Sequence, residues 1–305
     1  MEVKKAITLI QYWDLELKTA RPLSERAILI TATNKQHYVL KKKNDILIAE
    51  NEEKLLQRIN QIGFKVQEVL LTVENRSYQE FENDTYCLYR YIEGDTFTAD
   101  ECLHNAIVPT VIGETIANLH QAMATSELDE AFPQSDLVVT LNQFVYPTLN
   151  ERGFMQEFEP IRSVIDTSVE ATLNQLPKQL IHRDMHIFNL IYQGGQLAEV
   201  IDFDLVQVNV RIFDLAYCST SILNEVFENQ EKRERWFEFV SLLCDSYSDH
   251  NRLSKEEKSM FFYVLIAIQL IFIGFFHQEQ ALYQKNKEML DWILQQKERI
   301  EAGMQ

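Results

Sequence analysis

The sequence has few of the features that mark secreted or metal-clustering proteins. Its four cysteines, Cys87, Cys102, Cys218 and Cys244, lie far apart, and no CxxC pair suggests a zinc or redox site. The N-terminal residues MEVKKAITLIQYWDLELK lack an uninterrupted apolar segment and a small-residue cleavage site, so no secretory signal is predicted. These absences predict a protein that stays in a reducing cytoplasm.

The chain also has fewer basic than acidic residues. The 305 residues include 46 acidic and 29 basic side chains, which gives a formal net charge of −17. This surplus should repel phosphate backbones and anionic membrane surfaces, so we expect neither nucleic acid nor a membrane as a partner. It also favours cationic solutes near the surface, although a charge spread over the whole chain says little about one pocket.

A single apolar run is long enough to raise the question of a membrane span. Residues 261–276, FFYVLIAIQLIFIGFF, stand at or below the minimum spanning length and include a glutamine and a glycine. Acidic residues flank the run. A buried helix is therefore the favoured interpretation, with a membrane helix as the alternative.

The first third of the chain has a strand, helix, strand pattern. Residues 27–43 predict a β-hairpin around Thr33-Asn34-Lys35, and residues 49–62 predict a helix with one apolar stripe that ends at Gly63. Two short β-rich runs follow, at 66–73 and 85–94. The second of these ends in Glu93-Gly94, where we expect a turn or a hinge.

The rest of the chain is mostly helical in pattern. Helices are predicted over 111–123 and over an amphipathic stretch from about 154 to 176. Residues 180–206 interrupt this pattern, because two apolar runs flank Gly194-Gly195 as in a β-hairpin. There is no internal repeat and no Pro-, Gly- or Ser-rich linker.

The polar residues around that hairpin have the spacing that phosphoryl transfer requires. Asp184 precedes Asn189 by five residues, the spacing in which the aspartate faces a substrate hydroxyl and the asparagine ligates Mg²⁺. Asp202 follows an apolar run and offers a hard carboxylate oxygen to the same ion. A lone aspartate after an apolar run is usually a turn former, but the combination is much harder to obtain by chance.

The segments IHRDMHIFN, VIDFDLV and RIFDLAY resemble the catalytic core of the aminoglycoside phosphotransferase and choline kinase superfamily, and the spore-coat kinase-like proteins are similar as well. The resemblance spans roughly residues 25–225. It implies an α+β, bilobal, protein-kinase-like fold. We expect a small β-rich nucleotide-binding lobe with one main helix over 1–91, and a larger, mostly helical catalytic lobe over 92–305.

The resemblance also implies roles for the motif residues. Asp184 would be the catalytic base, and Asn189 and Asp202 would be the Mg²⁺ ligands. His182 would brace the loop, and Asp214 would support it from the following helix. Two further candidates are left open: Asp204 for a second metal, the substrate or no ligand, and His186 for substrate, phosphate or a local hydrogen bond.

The nucleotide-binding residues rest on weaker matches. Lys41 lies on a predicted strand, as does the phosphate-binding lysine of the kinase template, with Lys42 and Lys43 as alternatives in register. Glu52 would be its partner, with Glu53 as the alternative. The resemblance further implies that the backbone of Arg90 and Ile92 faces the adenine.

Three departures from the protein-kinase pattern bear on the class of acceptor substrate. The G-x-G-x-x-G loop is absent from RPLSERAILI, and the metal motif is Asp-Phe-Asp rather than Asp-Phe-Gly. Asp202 and Asp214 are only twelve positions apart, with no A-P-E sequence, so no long activation segment can form. This favours a small-molecule acceptor over a protein.

The leading hypothesis is thus a kinase that transfers the γ-phosphate of ATP or GTP, with Mg²⁺, to a hydroxyl group of a small metabolite or antibiotic. Trp236, Phe237 and Tyr263 could suit an amine-bearing acceptor through cation–π contacts, although a packed aromatic core is the favoured interpretation. Two alternatives remain: a catalytically idle scaffold of the spore-coat type, and a Mg²⁺-dependent hydrolase. His120 is expected to be a packed residue rather than a catalytic one.

Overall fold

The computed structural model describes residues 3–124, 128–165 and 167–304. The chain divides into two compact units. The first comprises Met1–Thr96 with Phe188–Leu205, and the second comprises Phe97–Ile187 with Val206–Gln305. The hairpin near residue 195, which the sequence analysis assigned to the helical lobe, therefore groups with the first unit.

An antiparallel sheet forms the body of the first unit. Its strand order is β1-β2-β3-β6-β4, and β5 also pairs with β6. The strands are β1 (Leu17–Pro22), β2 (Ala27–Ala32), β3 (His37–Lys43), β4 (Val69–Leu70), β5 (Gln79–Phe81) and β6 (Asp84–Arg90). The predicted hairpin is confirmed as β2 and β3, in which Thr31 pairs with His37 and Ala27 with Lys41.

An N-terminal helix, α1 (Val3–Leu9), and a following 3₁₀ turn (Ile10–Trp13) cover one face of this sheet. Their buried side chains recur at helical spacing, at positions 6, 9, 10 and 13. They pack against alternate residues of β2 and β3, such as Ile28, Ile30 and Leu40, because successive strand residues face opposite sides of a sheet. Neither α1 nor β1 was predicted from the sequence.

The main helix of the first unit is α2 (Ile46–Gln61). It begins three residues before the predicted start because the Asp45 side chain caps it, accepting a hydrogen bond of 2.8 Å from the Ile48 N–H. Leu55, Leu56 and Ile59 are buried as the apolar stripe predicted. Gly63, just beyond the end, has a positive φ of 91°, which is typical of a helix C-terminus.

A second hairpin completes the first unit. It consists of β8 (Leu190–Gln193) and β9 (Gln196–Val200), joined by Gly194 and Gly195 with φ of 58° and 79°. Glycine adopts positive φ values more readily than other residues, which is why two glycines occupy the predicted turn. Gln67 donates a backbone hydrogen bond of 2.9 Å to the Val200 carbonyl, which ties β9 to the segment before β4.

The second unit is mostly helical, with one antiparallel pair of strands. The strands are β7 (Lys178–Ile181) and β10 (Gln207–Val210). The helices are α3 (Ala99–His104), α4 (Ile107–Ala124), α5 (Leu137–Thr140), α6 (Tyr146–Glu151), α7 (Met155–Val164), α8 (Thr167–Gln175), α9 (Ile212–Val226), α10 (Gln230–His250), α11 (Lys255–Phe275), α12 (Gln280–Gln295) and α13 (Lys297–Ala302).

Two predictions about these helices can be compared with the structure. The amphipathic stretch over 154–176 is not one helix but two, α7 and α8, because Ile165 leaves the helical region with ψ of 71°.

The apolar run over 261–276 lies in α11. Among the described residues α11 alone is long and apolar enough to cross a membrane, and 67% of its apolar window is buried. It packs against α9 and α12, as a core helix does.

Candidate functional site

The predicted site residues fall into two sets, one in each unit. Those in the first unit are Lys41, Glu52, Arg90, Ile92, Asn189, Asp202 and Asp204. Those in the second unit are His182, Asp184, His186 and Asp214. We describe each set by itself.

Two lysines of β3 and three carboxylates form an ion-pair network in the first unit. The Lys43 ammonium group contacts the carboxylates of Glu52 and Asp204, and the side chains of Lys43 and Glu52 are each only 1% exposed. The Lys41 Nζ atom lies 2.6 Å from Oδ1 of Asp202 and 2.9 Å from Oδ2 of Asp204. Both lysines are two positions apart on one strand, so both side chains point to the same face.

This pairing differs from the expected one. Lys41 was expected to pair with Glu52, whereas the structure pairs Glu52 with Lys43, one of the two alternatives in register. Glu53, the alternative on α2, bonds instead to Gln57 on the same helix. The choice between Lys41 and Lys43 depends on where α2 packs along β3, and strand alternation by itself does not decide it.

Two neutral side chains complete the surroundings of Glu52. Gln67 donates a hydrogen bond of 2.8 Å to Oε1 of Glu52, and Tyr89 donates one of 2.8 Å to Oε2. The amide oxygen of Gln67 also accepts a 2.8 Å hydrogen bond from the backbone N–H of Asp202. Gln67 thus bridges Glu52 and the backbone of Asp202. No motif in the sequence pointed to Gln67 or Tyr89.

Burial and ion pairing act in opposite directions on the charges of this network. Burial disfavours the Lys43 ammonium, but Glu52 and Asp204 outweigh it and hold the pKa of Lys43 above its usual range. Burial likewise disfavours the Asp204 carboxylate, yet Lys43 and Lys41 keep its pKa below the usual value. Lys43 and Asp204 are therefore both charged at neutral pH.

Asn189 and Asp202 stand at the open end of the second hairpin. The backbone carbonyl of Asn189 accepts a 3.0 Å hydrogen bond from the Ile201 N–H, so the two residues lie on neighbouring segments. Asp202 has a positive φ of 69°, a conformation that aspartate adopts more readily than most side chains. Such an unusual backbone conformation is frequent at functional sites.

The donor set fits Mg²⁺ better than it fits a transition metal. Within the described ranges no group of three or more His, Cys, Asp or Glu side chains could hold a metal ion. Mg²⁺ needs only one or two carboxylates, because water and substrate phosphates supply its other oxygen ligands. Asp202 and Asp204 converge on the Lys41 ammonium, which shows that both carboxylates can meet one cation at a single point.

The residues expected to contact the adenine lie at the end of β6. The Arg90 N–H donates a 3.0 Å hydrogen bond to the Glu68 carbonyl, and its guanidinium Nε lies 2.7 Å from the Glu68 carboxylate. Ile92 is half-buried in the following loop. A Cβ on Gly94 would lie 2.6 Å from the Tyr192 carbonyl oxygen, so glycine is required there. Adenine contact by Arg90 and Ile92 stays a prediction.

In the second unit, Asp184 is held by hydrogen bonds. The Tyr217 hydroxyl donates to Oδ1 of Asp184 at 2.7 Å, and Nε2 of His186 lies 3.5 Å from Oδ2. Burial by itself would raise the pKa of Asp184, but His186 and Tyr217 lower it to about 2. Asp184 is therefore a carboxylate at neutral pH, able to accept a hydrogen bond from a hydroxyl group.

Asp214 fixes the backbone next to Asp184. Its carboxylate accepts hydrogen bonds of 2.8 Å from the backbone N–H groups of His182 and Arg183. It also lies 3.0 Å from Nε2 of His120, whose other ring nitrogen is 2.9 Å from the Tyr247 hydroxyl. Arg183 has a positive φ of 68°, which this double hydrogen bond helps to hold. His120 is fully buried in this network.

The aromatic residues considered for an amine-bearing acceptor have partners within the chain. Trp236 is fully buried and donates a 2.7 Å hydrogen bond to the Ser219 carbonyl. The Arg299 guanidinium lies 3.7 Å from the ring centroid of Phe237, and Lys297 lies 5.2 Å from that of Tyr263. These contacts favour the packed-core interpretation over a cation-binding surface.

Comparison with solved structures places this fold among the protein-kinase-like phosphotransferases. The amicoumacin kinase bound to AMP-PNP and Ca²⁺ matches with a TM-score of 0.73 and 17% identity, over 98% of this chain and 92% of that one. A microcompartment-associated aminopropanol kinase matches with a TM-score of 0.68 and 15% identity, over 99% and 95% of the two chains. A spectinomycin phosphotransferase bound to AMP matches with a TM-score of 0.66 and 14% identity, over 100% and 98%.

The sequence itself defines the family. Residues 19–236 match the model of the phosphotransferase enzyme family, so the chain belongs to that family. A comparison with curated proteins finds no match. The chain is therefore a phosphotransferase, with a hydroxyl group as the acceptor of the phosphoryl group.

Proposed function

We propose that this protein transfers the γ-phosphate of ATP or GTP to a hydroxyl group of a small, amine-bearing molecule. The observation that carries the proposal is the convergence of Asp202 and Asp204 on Lys41, together with the contacts of Asp204 and the buried Glu52 with Lys43. A cationic and anionic cluster of this kind supplies the positive charge that nucleotide phosphates need and the carboxylates that a metal needs.

The roles in the nucleotide site follow from burial. Lys43 is the anchored lysine, because Glu52 and Asp204 hold its ammonium group on two sides. The Lys41 side chain is 16% exposed, so its ammonium can turn from Asp202 to a phosphate oxygen. Asp202 and Asn189 would hold Mg²⁺ with Asp204 as a further ligand, and the bound ion would neutralise the phosphate charge.

Asp184 would receive the proton of the acceptor hydroxyl. Its low pKa makes it a weak base, so its main contribution is to orient the hydroxyl by accepting a hydrogen bond. The hydroxyl proton would pass to Asp184 as the phosphoryl group moves from the nucleotide to the hydroxyl oxygen. His182 and Asp214 would keep this loop in place through the backbone bonds described above.

The amine on the acceptor is supported by charge rather than by aromatic faces. The formal charge of −17 favours cationic solutes near the surface, while the aromatic candidates already have partners within the chain. The solved structures of similar fold include an aminopropanol kinase and an aminoglycoside phosphotransferase. We further propose a cytoplasmic location, since all four cysteines are free and buried.

The test is a screen of amino alcohols and aminoglycosides with Mg-ATP or Mg-GTP, read as nucleoside diphosphate release and product mass. Nucleotide consumption that requires a hydroxylated amine, with a mass gain of one phosphate, would support the proposal. Consumption with water alone would indicate a hydrolase. Absence of both turnover and AMP-PNP binding would indicate an idle scaffold.

Variants separate the two sets of residues. We expect Asp184→Asn to lose turnover while it keeps AMP-PNP affinity, because that carboxylate serves the acceptor. Asp202→Asn should weaken Mg²⁺-dependent AMP-PNP binding. Asp249→Asn, an exposed helix position with the same chemical change, is the control and should behave as wild type. An Asp202→Asn protein with unchanged metal-dependent binding would contradict the assignment.

A further inference from the structure

The first unit contains a cavity that none of the proposed roles uses. It has a volume of about 710 Å³, and its lining consists of five α2 residues (Glu53, Leu56, Gln57, Asn60 and Gln61), the segment 65–71 and Glu199 of β9. We call it the α2 cavity. Cavities of about 300–1,000 Å³ are the size that holds small organic ligands. A smaller neighbouring cavity of about 570 Å³ shares Glu53, Gln57 and Leu71 with it, so there is room for a longer molecule.

The lining combines an apolar wall with carboxylates. Leu56, Val66, Val69 and Leu70 provide the apolar side, which favours a ligand with an apolar body. Three carboxylates, Glu53, Glu68 and Glu199, face a single lysine, Lys65. This imbalance favours a ligand that brings a positive charge.

Glu199 is the carboxylate that lacks a partner. Its Oε2 atom is buried and, among the described residues, has no hydrogen-bond partner. Glu68 is already paired with Arg90 at 2.7 Å, and Glu53 accepts a hydrogen bond from Gln57. A buried carboxylate oxygen without a donor is costly, and rotation of the Glu199 side chain toward a bound ammonium group would remove that cost.

The cavity also touches the ion-pair network. Gln67 lines it, and the same side chain donates to Glu52 and accepts from the backbone N–H of Asp202. A ligand that contacts Gln67 would therefore change the hydrogen bond that Gln67 accepts from the Asp202 N–H.

From these observations we propose that the α2 cavity binds a small organic cation, with a primary ammonium group on Glu199 and an apolar body against Leu56 and Val69, and that Gln67 links its occupancy to Asp202. The lining residues belong to the first unit, whereas Asp184 belongs to the second. The proposed role is regulatory, because it acts through Gln67 on the backbone of Asp202.

The test uses 4-phenylbutylamine as the probe and 4-phenylbutanol as its uncharged analogue, without nucleotide, so the result does not depend on kinase activity. We expect the amine to bind at least about tenfold more tightly than the alcohol, since a charge-assisted hydrogen bond is lost in the latter. Equal affinities, or no binding of the amine, would overturn the proposal.

Two variants and a control locate the site. Glu199→Gln should weaken amine binding about tenfold and leave alcohol binding unchanged. Val69→Phe should weaken both by filling the cavity. Glu80→Gln removes one charge from an exposed position of the same unit that lines neither cavity, and it should bind as wild type. If Glu199→Gln bound the amine as tightly as wild type, the probe would occupy another site and the proposal would be overturned.

Amide resonances report the link to Asp202. On amine binding we expect shifts of the amides of residues 66–71, of the Gln67 side chain and of the Asp202 N–H. Shifts confined to residues outside this set would overturn the location. Shifts of 66–71 without any change at Asp202 would overturn the link through Gln67.

Discussion

Tyr217 donates a hydrogen bond of 2.7 Å to Oδ1 of Asp184. Tyr217 lies on α9 three residues after Asp214, and residues at this spacing share one face of a helix. The same helix face therefore holds both the backbone of the loop, through Asp214, and the carboxylate proposed as the base, through Tyr217. Asp214 was predicted from the sequence, whereas Tyr217 was not.

Replacing Tyr217 by phenylalanine should reduce turnover and change its pH dependence. The Asp184 carboxylate loses a donor, so its pKa should rise from about 2 and the acid limb of the kcat profile should move to higher pH. We expect kcat to fall roughly tenfold while nucleotide affinity stays constant. Tyr263→Phe, which loses only a bond from Lys297, is the control. Identical pH profiles for both variants would contradict the positioning role.

The two lysines of β3 should differ in their effect on stability. Lys43→Met leaves the buried Glu52 without its cation and removes one of the two cations that contact Asp204, so we expect the free energy of unfolding to fall by about 3–5 kcal/mol. Lys41→Met removes a partly exposed cation, and we expect a loss below about 1 kcal/mol. Urea denaturation measures both. Equal losses would show that the two lysines are interchangeable, contrary to the pairing described here.

Glu199 should make stability fall as pH rises. Burial and the neighbouring Glu68 raise the pKa of Glu199 to about 7, while Lys65 and Arg90 oppose this shift. An unfolded glutamate titrates near about 4.3. Between these values the folded chain binds more protons than the unfolded chain, so raising the pH through this window destabilises the fold.

The variant Glu199→Gln cannot ionise and should escape this loss. We expect it to match wild type at about pH 4.5 and to be more stable at about pH 8 by roughly 1 kcal/mol, a figure reduced for the solvent-exposed part of the side chain. Urea denaturation at the two pH values measures the difference. Glu80→Gln should show no such dependence, and a Glu199→Gln curve parallel to wild type would rule out the shifted pKa.

Gly113 permits the close approach of α4 to α10. A Cβ at this position would lie 2.3 Å from the Leu243 carbonyl oxygen and 3.0 Å from the Tyr247 backbone nitrogen. The backbone atoms of α10 cannot move aside as the end of a flexible side chain can. Gly113→Ala should therefore lower the free energy of unfolding by about 1–3 kcal/mol. Thermal or urea denaturation checks this value.

Gly274 on α11 is the matched control for that substitution. A Cβ there would meet Phe144 at 3.4 Å and Val145 at 3.5 Å, which are ordinary contacts. Alanine is favoured over glycine within a helix by roughly 1 kcal/mol, so Gly274→Ala should not lower stability. If both variants were equally destabilised, the close approach at Gly113 would not be the cause.

Short-range pattern was enough for much of the fold and for the class of reaction. The β2–β3 hairpin, α2 with its apolar stripe and the Gly194-Gly195 turn follow from period, capping and positive φ, all of which are local properties. The family was evident from segments in which the motif residues are close in sequence, as in His182 to Asn189. Such spacing is readable without the fold.

Partners distant in sequence were decided by tertiary structure. Lys43 rather than Lys41 meets Glu52, and Gln67 reaches Asp202 across 135 positions of the chain. The amphipathic pattern over 154–176 did not show the break at Ile165, and no pattern showed that Arg299 covers Phe237.

The sequence by itself therefore determined the family and the class of reaction, because these depend on residue type and local spacing. The structure decided which lysine is buried with Glu52 and which tyrosine holds Asp184, and it showed that, within the described residues, Oε2 of Glu199 is buried without a hydrogen-bond partner. Those outcomes depend on how helices pack on strands, since packing brings together side chains that no local rule relates.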